Sequence, residues 1–216
     1  MWVAKGPSPS KIAPMLVKDA TFAAIDFESA GARAGATDVP VQIGIAVMHG
    51  TEIDRSSLFR SYVKADQPVT WGARRVHGIS DEDIAEAPTM LSLWPAIKAS
   101  LGDAWVVAHG SGTERRFLRV FPFHGFGPWI DTLKLAHAAL PGSDDHSLGA
   151  VVSGTGLTAR VDALCPDGRW HDALYDAVAS LVFLQHVIEC CRLEARNADT
   201  LVDPNRSAYF SGRLRV

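Results

Sequence analysis

The stretch TFAAIDFESAG, residues 21–31, joins an apolar run to two acidic residues that are two positions apart. Residues 21–26 have the composition of a buried β-strand. Because side chains two apart on a strand share a face, Asp26 and Glu28 are expected to project side by side. Two buried like charges are costly without a cation, which makes a hard divalent metal a natural partner. A bare D-x-E pair is weak evidence by itself, since a strand that ends in solvent leaves the same pattern.

Other apolar runs predict further strands, and helical patterns follow them. The predicted strands lie at residues 41–48, at 56–63, at 104–108 and around Ile130. Two helices are predicted to start at Ser80 and Thr89, the second with a kink at Pro95, and others to cover residues 113–121, 132–139, 147–152 and 173–193. This order predicts one α/β domain at residues 21–195, with an irregular lead-in at 1–20 and a tail at 196–216.

The composition narrows the class of protein. The 216 residues are 47% hydrophobic and carry a formal charge of −3, which suits one domain with a large core. A near-neutral chain disfavours a protein that coats nucleic acid but allows an enzyme that grips a strand end. No apolar run reaches the roughly 18 residues of a membrane span, and the first residues lack a signal-peptide pattern, so we expect no membrane partner and a cytoplasmic location. The three cysteines, Cys165, Cys190 and Cys191, fit reduced thiols.

A histidine and two aspartates cluster in HDALYD, residues 171–176. Asp172 has the position of a helix N-cap, which leaves His171 in the preceding loop and Asp176 about one turn inside the helix. Histidine is the usual proton acceptor near neutral pH, so His171 is a candidate general base. Asp176 is open to two interpretations: a favourable charge near the helix N-terminus, worth about 0.3–1 kcal/mol, or a functional carboxylate among apolar neighbours.

A further acidic candidate lies in HGSGTERRFL, residues 109–118, directly after a predicted strand. Glu114 is within reach of a site at the carboxyl end of that strand. However, Ser111-x-x-Glu114 also matches a capping box, in which both side chains bind backbone N–H groups at the helix start. The same glutamate cannot easily do both. The segment lacks the Lys of a P-loop and the G-x-S-x-G elbow of a serine nucleophile.

Six segments together resemble a known family. They are AAIDFESAG (23–31), VQIGIAV (41–47), RVHGISDEDIAEAPT (75–89), VVAHGSGTERRFL (106–118), WIDTLKLA (129–136) and HDALYDA (171–177). In order and spacing they are similar to the DnaQ-like 3′–5′ exonucleases of the DEDDh type, which include polymerase proofreading subunits and RNase T. The resemblance covers residues 22–189. It implies an RNase H-like α/β fold, a mixed five-stranded sheet flanked by helices, and a two-metal phosphodiesterase that releases 5′-mononucleotides from the 3′ ends of DNA or RNA.

The resemblance also implies a role for each matching residue. Asp26, Glu28 and Asp176 match metal ligands, and His171 matches the catalytic histidine, which accepts a proton from the attacking water. With Glu114 these acids would hold two Mg²⁺ or Mn²⁺ ions. The implied substrate is the 3′ end of a nucleic acid that is single-stranded or short. A DNA polymerase or a repair protein is the implied protein partner. The oligomeric state stays open.

The middle segment departs from the family pattern. Gly110, Thr113 and Glu114 stand where the family usually has Asn, Phe and Asp. The extra methylene of glutamate moves its carboxylate outward by about 1.5 Å. We expect a working variant, because the charge is kept and the other catalytic positions are intact. The alternative is a catalytically impaired module that binds nucleic acid or a protein partner. An HD-type metal phosphohydrolase is disfavoured, since it needs a largely helical fold and further histidine ligands.

Residues in the first and third segments, and one just before the third, are expected to hold the substrate. They are Phe27, Ser29, Ala30, Trp71, His77 and Ile79. A tryptophan can stack on a base, although Trp71 can equally fill an edge of the core. His77 and Ile79 belong to an HGI triplet that resembles the family segment beside the terminal base. Asp131 matches a frequent family residue, and we expect it to support the site without binding metal.

Overall fold

The computed structural model describes residues 15–204 and residue 210. Parts of the predicted lead-in and tail lie outside the described residues. These parts are residues 1–14, 205–209 and 211–216. The limits of the domain predicted at 21–195 therefore stay a prediction.

The described residues form a five-stranded sheet with the strand order β3-β2-β1-β4-β5. The strands are β1 (Thr21–Ser29), β2 (Pro40–His49), β3 (Glu52–Tyr62), β4 (Trp105–Ala108) and β5 (Trp129–Asp131). The first three pair antiparallel, whereas β4 runs parallel to β1 and β5 parallel to β4. This confirms the mixed five-stranded sheet. Each predicted strand is present, although β1 ends three residues later and β3 begins four residues earlier than predicted.

Helices flank the sheet. They are α1 (Trp71–His77), α2 (Asp81–Ile84), α3 (Trp94–Leu101), α4 (Gly112–Phe117), α5 (Thr132–Ala139), α6 (Leu148–Gly154), α7 (Thr158–Leu164), α8 (Ala173–Cys191) and α9 (Asp199–Val202). Short 3₁₀ helices cover Val17–Asp19 and Leu118–Val120. The predicted start at Ser80 is confirmed, because Ser80 and Asp83 form a capping box.

The helix predicted to start at Thr89 is a correction. Helix α3 begins at Trp94, and Pro95 lies in its first turn and not at a kink. Proline is favourable there because the first N–H groups of a helix have no intrahelical partner. The prediction at 113–121 also changes: the α-helix ends at Phe117 and continues as a 3₁₀ turn.

The core lies on both faces of the sheet, because side chains alternate along β1. Phe22 and Ala24 face one apolar cluster that includes most of α8, while Ala23 and Ile25 face another around α3. By length and composition, α8 is the one helix in the described part of the chain that could cross a membrane, but most of it is buried inside the protein. A helix that is apolar all round is expected in such a core position.

The start of α8 touches the sheet directly at Gly44 of β2. A Cβ atom on this glycine would overlap the backbone of Ala173 and Leu174. Gly44 pairs with Asp26 across the two strands. The absence of a side chain at this position therefore brings the N-terminus of α8 next to the acidic end of β1.

Candidate active site

Two acidic side chains and a histidine meet where β1 ends. Glu28 of β1, Asp176 of α8 and His171 just before α8 each offer a possible ligand atom, and these atoms lie within 4.8 Å of one another. Asp26 and Glu114 lie outside this group of three, but their charges still act on the site. Three of the five residues predicted for catalysis and metal binding thus lie within mutual ligand distance, and the charges of Asp176, Glu114 and Glu28 act on Asp26.

Burial and mutual repulsion favour the protonated form of these acids. The pKa of Asp26 stands well above its ordinary range, first because the side chain is buried and then because it faces other carboxylates. Those neighbours are, in decreasing order of effect, Asp176, Glu114 and Glu28. Such groups of perturbed carboxyls are typical of functional sites.

The other three acids follow the same trend. Burial, followed by the charges of Asp176 and Asp172, raises the pKa of Glu28 to about 8. Burial raises the pKa of Asp176 to about 7 against the opposing effect of a backbone hydrogen bond from His171. Burial likewise raises the pKa of Glu114 to about 7. Since a nearby positive charge would reverse these shifts, the site has the electrostatics of one built to hold a cation.

Two carboxylate oxygens support the same interpretation. Oε2 of Glu114 and Oδ1 of Asp176 are buried and have no hydrogen-bond partner among the described residues. The other oxygen of Asp176, Oδ2, accepts a hydrogen bond from the backbone N–H of His171 at 3.2 Å. A buried polar atom without a partner is rare. Carboxylate oxygens are the donors that Mg²⁺ and Mn²⁺ prefer, so the residues present fit a divalent metal.

Glu114 is not part of a capping box, which corrects one of the two interpretations of HGSGTERRFL. Helix α4 has no side-chain cap at Ser111. The hydroxyl of Ser111 lies 3.3 Å from Oδ2 of Asp131, which also accepts from the Ser111 backbone N–H at 3.1 Å. Oδ1 of Asp131 accepts from the backbone N–H of Gly110 at 2.9 Å. Asp131 thus holds the loop in place, and Glu114, 5% exposed, is free to point inward.

The loop before α8 is fixed by Asp172, as its predicted N-cap position indicates. Its Oδ1 accepts from the N–H of Leu174 at 3.1 Å, and its Oδ2 accepts from the guanidinium of Arg60 at 2.8 Å. The adjacent His171 is exposed and has a positive φ of 65°, which is uncommon for a residue other than glycine. The contacts of Asp172 hold the chain in place beside this strained conformation.

Gln42 is a supporting residue that the sequence analysis missed. Its Oε1 accepts from the backbone N–H of Ala173 at 2.8 Å, and its Nε2 lies 3.4 Å from Oδ2 of Asp172. It is 3% exposed and pairs with Glu28 across the strands. The signal was present as the one polar side chain in the apolar run VQIGIAV. Gln42 therefore links the sheet to the loop that carries His171.

The predicted substrate residues occupy two kinds of position. Phe27, Ala30, His77 and Ile79 are buried, and Phe27 packs edge-on against Phe117 with ring centroids 5.5 Å apart. Phe27 belongs to the apolar cluster around α3, and Ala30 and Ile79 belong to a smaller cluster with Ile84. Direct contact of these residues with substrate stays a prediction. Ser29 is half-buried, and Trp71 is exposed on α1 and does not fill the core.

Comparison with known proteins agrees with this geometry. Residues 23–184 match the family described as Exonuclease. Exodeoxyribonuclease 10 of Escherichia coli K12 is 27% identical over 194 residues, which are 88% of this chain and 80% of that protein. The PolC-type DNA polymerase III of Thermotoga maritima is 30% identical over 175 residues; the match covers 78% of this chain but 12% of that protein.

A solved structure shows the same fold. Exonuclease X, in complex with 5′ overhanging duplex DNA, superposes with a TM-score of 0.66 and 26% sequence identity. The match covers 84% of this chain and 99% of that one. The RNase H-like fold, the acidic cluster and the family match lead to one conclusion. This chain belongs to the exonuclease family.

Proposed function

We propose that this enzyme removes 5′-mononucleotides from the 3′ end of a nucleic acid strand, with two Mg²⁺ or Mn²⁺ ions held by Asp26, Glu28, Asp176 and Glu114. The observation that carries the proposal is the group of carboxylates with raised pKa values, Glu114 buried and the other three half-buried, two of which have a buried oxygen without a partner among the described residues. When bound, the divalent ions supply positive charge that activates water and stabilises the leaving 3′ oxygen.

The chain's own residues perform the remaining tasks. His171 is exposed at the mouth of the site and accepts the proton of the attacking water on a ring nitrogen. Asp172 and Gln42 hold the loop that carries it. Asp131 fixes the start of α4 and so the direction of Glu114. The names of the two relatives favour DNA as the substrate and a polymerase as a partner for this chain, and we include both in the proposal.

Removal of His171 tests the mechanism. We expect His171→Ala to lower kcat by about 10²–10⁴-fold, the usual contribution of a general base, while metal binding is kept. The assay follows a 5′-labelled single-stranded oligonucleotide in Mg²⁺, which should shorten step by step from its 3′ end. The matched control is His49→Ala. His49 is exposed at the end of β2 that is far from the carboxylates, so this variant should retain the wild-type rate.

Two results would contradict the proposal. If His171→Ala retained the full rate, the general base would be another group. If the wild-type protein bound divalent ions and oligonucleotides but cleaved none of them, it would be the catalytically impaired binding module that the substitutions at Gly110 and Glu114 also allow. Calorimetric titration with Mn²⁺ separates loss of metal binding from loss of proton transfer.

A further inference from the structure

The outer side of α1 carries an aromatic ring and a guanidinium next to each other. Trp71 is 74% exposed, although so large an apolar side chain is normally buried for the most part. The guanidinium carbon of Arg75 lies 5.3 Å from the centre of the Trp71 ring. Residues four apart share one face of a helix, so we treat these two side chains as a unit, the Trp71–Arg75 pair.

Helix α1 is fixed beside the acidic site at both ends. At its start, the backbone N–H of Thr70 donates to the carbonyl of Ala30 at 2.7 Å. At its end, Nε2 of His77 lies 3.0 Å from the carbonyl oxygen of Ser29. Ser29 and Ala30 directly follow Glu28 in the sequence. Seven helical residues span only about 10 Å, so the pair has a defined position within a few nucleotides of the carboxylates.

The two arginines of α1 have different surroundings. Arg74 is close enough to Glu82 and Asp83 to interact with their charges. None of the ion pairs within residues 15–204 includes Arg75. The guanidinium of Arg75 instead contacts the ring of Trp71. Arg75 is therefore free to bind an anion, whereas Arg74 is partly neutralised by carboxylates.

We propose, on the basis of the proposed exonuclease function, that the Trp71–Arg75 pair binds the single-stranded segment on the 5′ side of the terminal nucleotide. The ring stacks on a base, and the guanidinium contacts a neighbouring phosphate. An aromatic ring combined with a positive charge is the pairing that binds single strands without sequence preference. Because a base inside an intact duplex is already stacked on both faces, the ring is available only to bases of an unpaired strand.

Binding measurements with oligonucleotides of two lengths test this proposal. Fluorescein-labelled oligothymidylates of two and twelve nucleotides are titrated with the full chain in Ca²⁺, and anisotropy gives each Kd. For Trp71→Ala we expect a loss of about 5- to 150-fold for the twelve-nucleotide strand, the range for one stacked base, and a smaller loss for the dinucleotide. Trp71→Phe should recover most of the affinity because it retains an aromatic face.

Matched variants identify the cause of any loss. Arg75→Ala should lower the slope of log Kd against log salt by about 0.7, the value for one phosphate contact on a single strand. Arg74→Ala should leave this slope unchanged, and so should Phe123→Ala, which removes a fully exposed ring from the loop before β5. Unchanged unfolding temperatures for all variants would exclude a folding defect.

Three results would overturn the inference: wild-type affinity in Trp71→Ala, an equal loss for both lengths, or no binding of single strands by the wild-type chain. The assay requires no cleavage. An enzyme without cleavage activity would therefore refute the proposed function, and the effect of Trp71→Ala on Kd could still be measured. An active enzyme whose Kd is unchanged by Trp71→Ala would refute only the role of the Trp71–Arg75 pair.

Discussion

Glu114 shows how one methylene changes the geometry of a site without changing its charge. The carboxylate is buried, its Oε2 has no hydrogen-bond partner among the described residues, and the loop before it is held by Asp131. Helix α4 begins two residues earlier, and Asp131 holds the loop before it. We expect the longer side chain to reach toward the other acids without any movement of the helix. We therefore expect Glu114 to serve in the place of the usual aspartate.

Two substitutions of Glu114 test this explanation. Glu114→Gln keeps the size and removes the charge, and we expect kcat to fall by about 100-fold, the upper end for a change in the surroundings of a metal site. Glu114→Asp withdraws the carboxylate by about 1.5 Å and should also lower kcat, with weaker apparent Mg²⁺ affinity as the main cause. Steady-state rates at increasing Mg²⁺ distinguish the two effects. Glu82→Gln, an exposed glutamate on α2, is the control; full activity in Glu114→Gln would remove Glu114 from the metal site.

Gly110 has a physical explanation as the replacement for the usual asparagine. Its φ is 78°, in the left-handed region that glycine adopts freely and asparagine tolerates better than most residues. A Cβ atom here would lie 3.7 Å from a methyl group of Leu133, an ordinary contact. The backbone N–H of this residue, which donates to Asp131, is the same for either amino acid. The substitution thus preserves the local backbone.

At the scale of elements, the position of α8 depends on Gly44. We expect Gly44→Ala to displace the start of α8, because the added methyl group would overlap the backbone of its first turn. Overpacking of this kind costs about 1–3 kcal/mol. Thermal unfolding should show the loss of stability, and kcat should fall as well, since His171 and Asp176 move with the helix. Gly142→Ala, where a Cβ atom meets nothing within 4 Å, should change neither quantity. Wild-type activity in Gly44→Ala would mean that the helix start can shift without affecting the site.

The elements that could be predicted from the sequence are those with a one-sided or continuous apolar pattern. Helix α5 coincides with its prediction, and α8 ends two residues early. Helices α1 and α7 were missed because each buries only one residue, His77 and Val161 respectively, so neither has an apolar stripe to detect. Short helices of this type are fixed by tertiary contacts, which sequence patterns do not contain.

The acidic site follows a similar division. The spacing in the sequence is enough to place Asp26 and Glu28 on one face of a strand and Asp176 one turn into a helix. The link between these elements depends on Gln42 and Gly44, whose contacts cross more than 120 residues of chain. Nothing in the local pattern shows that contact. The convergence of the acids is therefore predicted only by the resemblance to the exonuclease family. The structure shows its physical cause in the contacts of Gln42 and Gly44.

For the whole molecule, the formal charge of −3 conceals an uneven distribution. Four of the 24 acidic residues lie in the site, where ionised carboxylates repel one another in the absence of metal. Divalent ions would reverse the local field and allow a phosphate to approach. A chain with near-neutral overall charge can thus act on an anionic polymer at one place, without the basic surface that coating proteins need.

The same acids predict how stability depends on pH. In the unfolded chain these carboxyls titrate near 3.8 and 4.5, but in the folded protein the pKa values of Asp176 and Glu114 are about 7 and that of Glu28 is about 8. Between the unfolded and the folded pKa values, the folded state therefore holds more protons than the unfolded chain. The stabilisation that these carboxyls contribute is complete at low pH and is lost as the pH rises through their folded pKa values. The buried His77 and His109 have lowered pKa values because burial disfavours their charged forms, so their opposite contribution is complete above about pH 6.5.

We accordingly expect the metal-free protein to lose thermal stability steadily from about pH 6.5 to pH 8.5, because ionising carboxylates are repelled in the fold and not in the unfolded chain. Mg²⁺ should reduce or reverse this slope, since it binds the ionised form and stabilises the folded state in proportion to its binding. The measurement is the unfolding temperature at several pH values in EDTA and in Mg²⁺. Asp176→Asn should flatten the slope in EDTA and weaken the effect of Mg²⁺, whereas the exposed Asp103→Asn should do neither. Equal slopes in EDTA and Mg²⁺ for the wild-type protein would show that these carboxylates do not form a metal site.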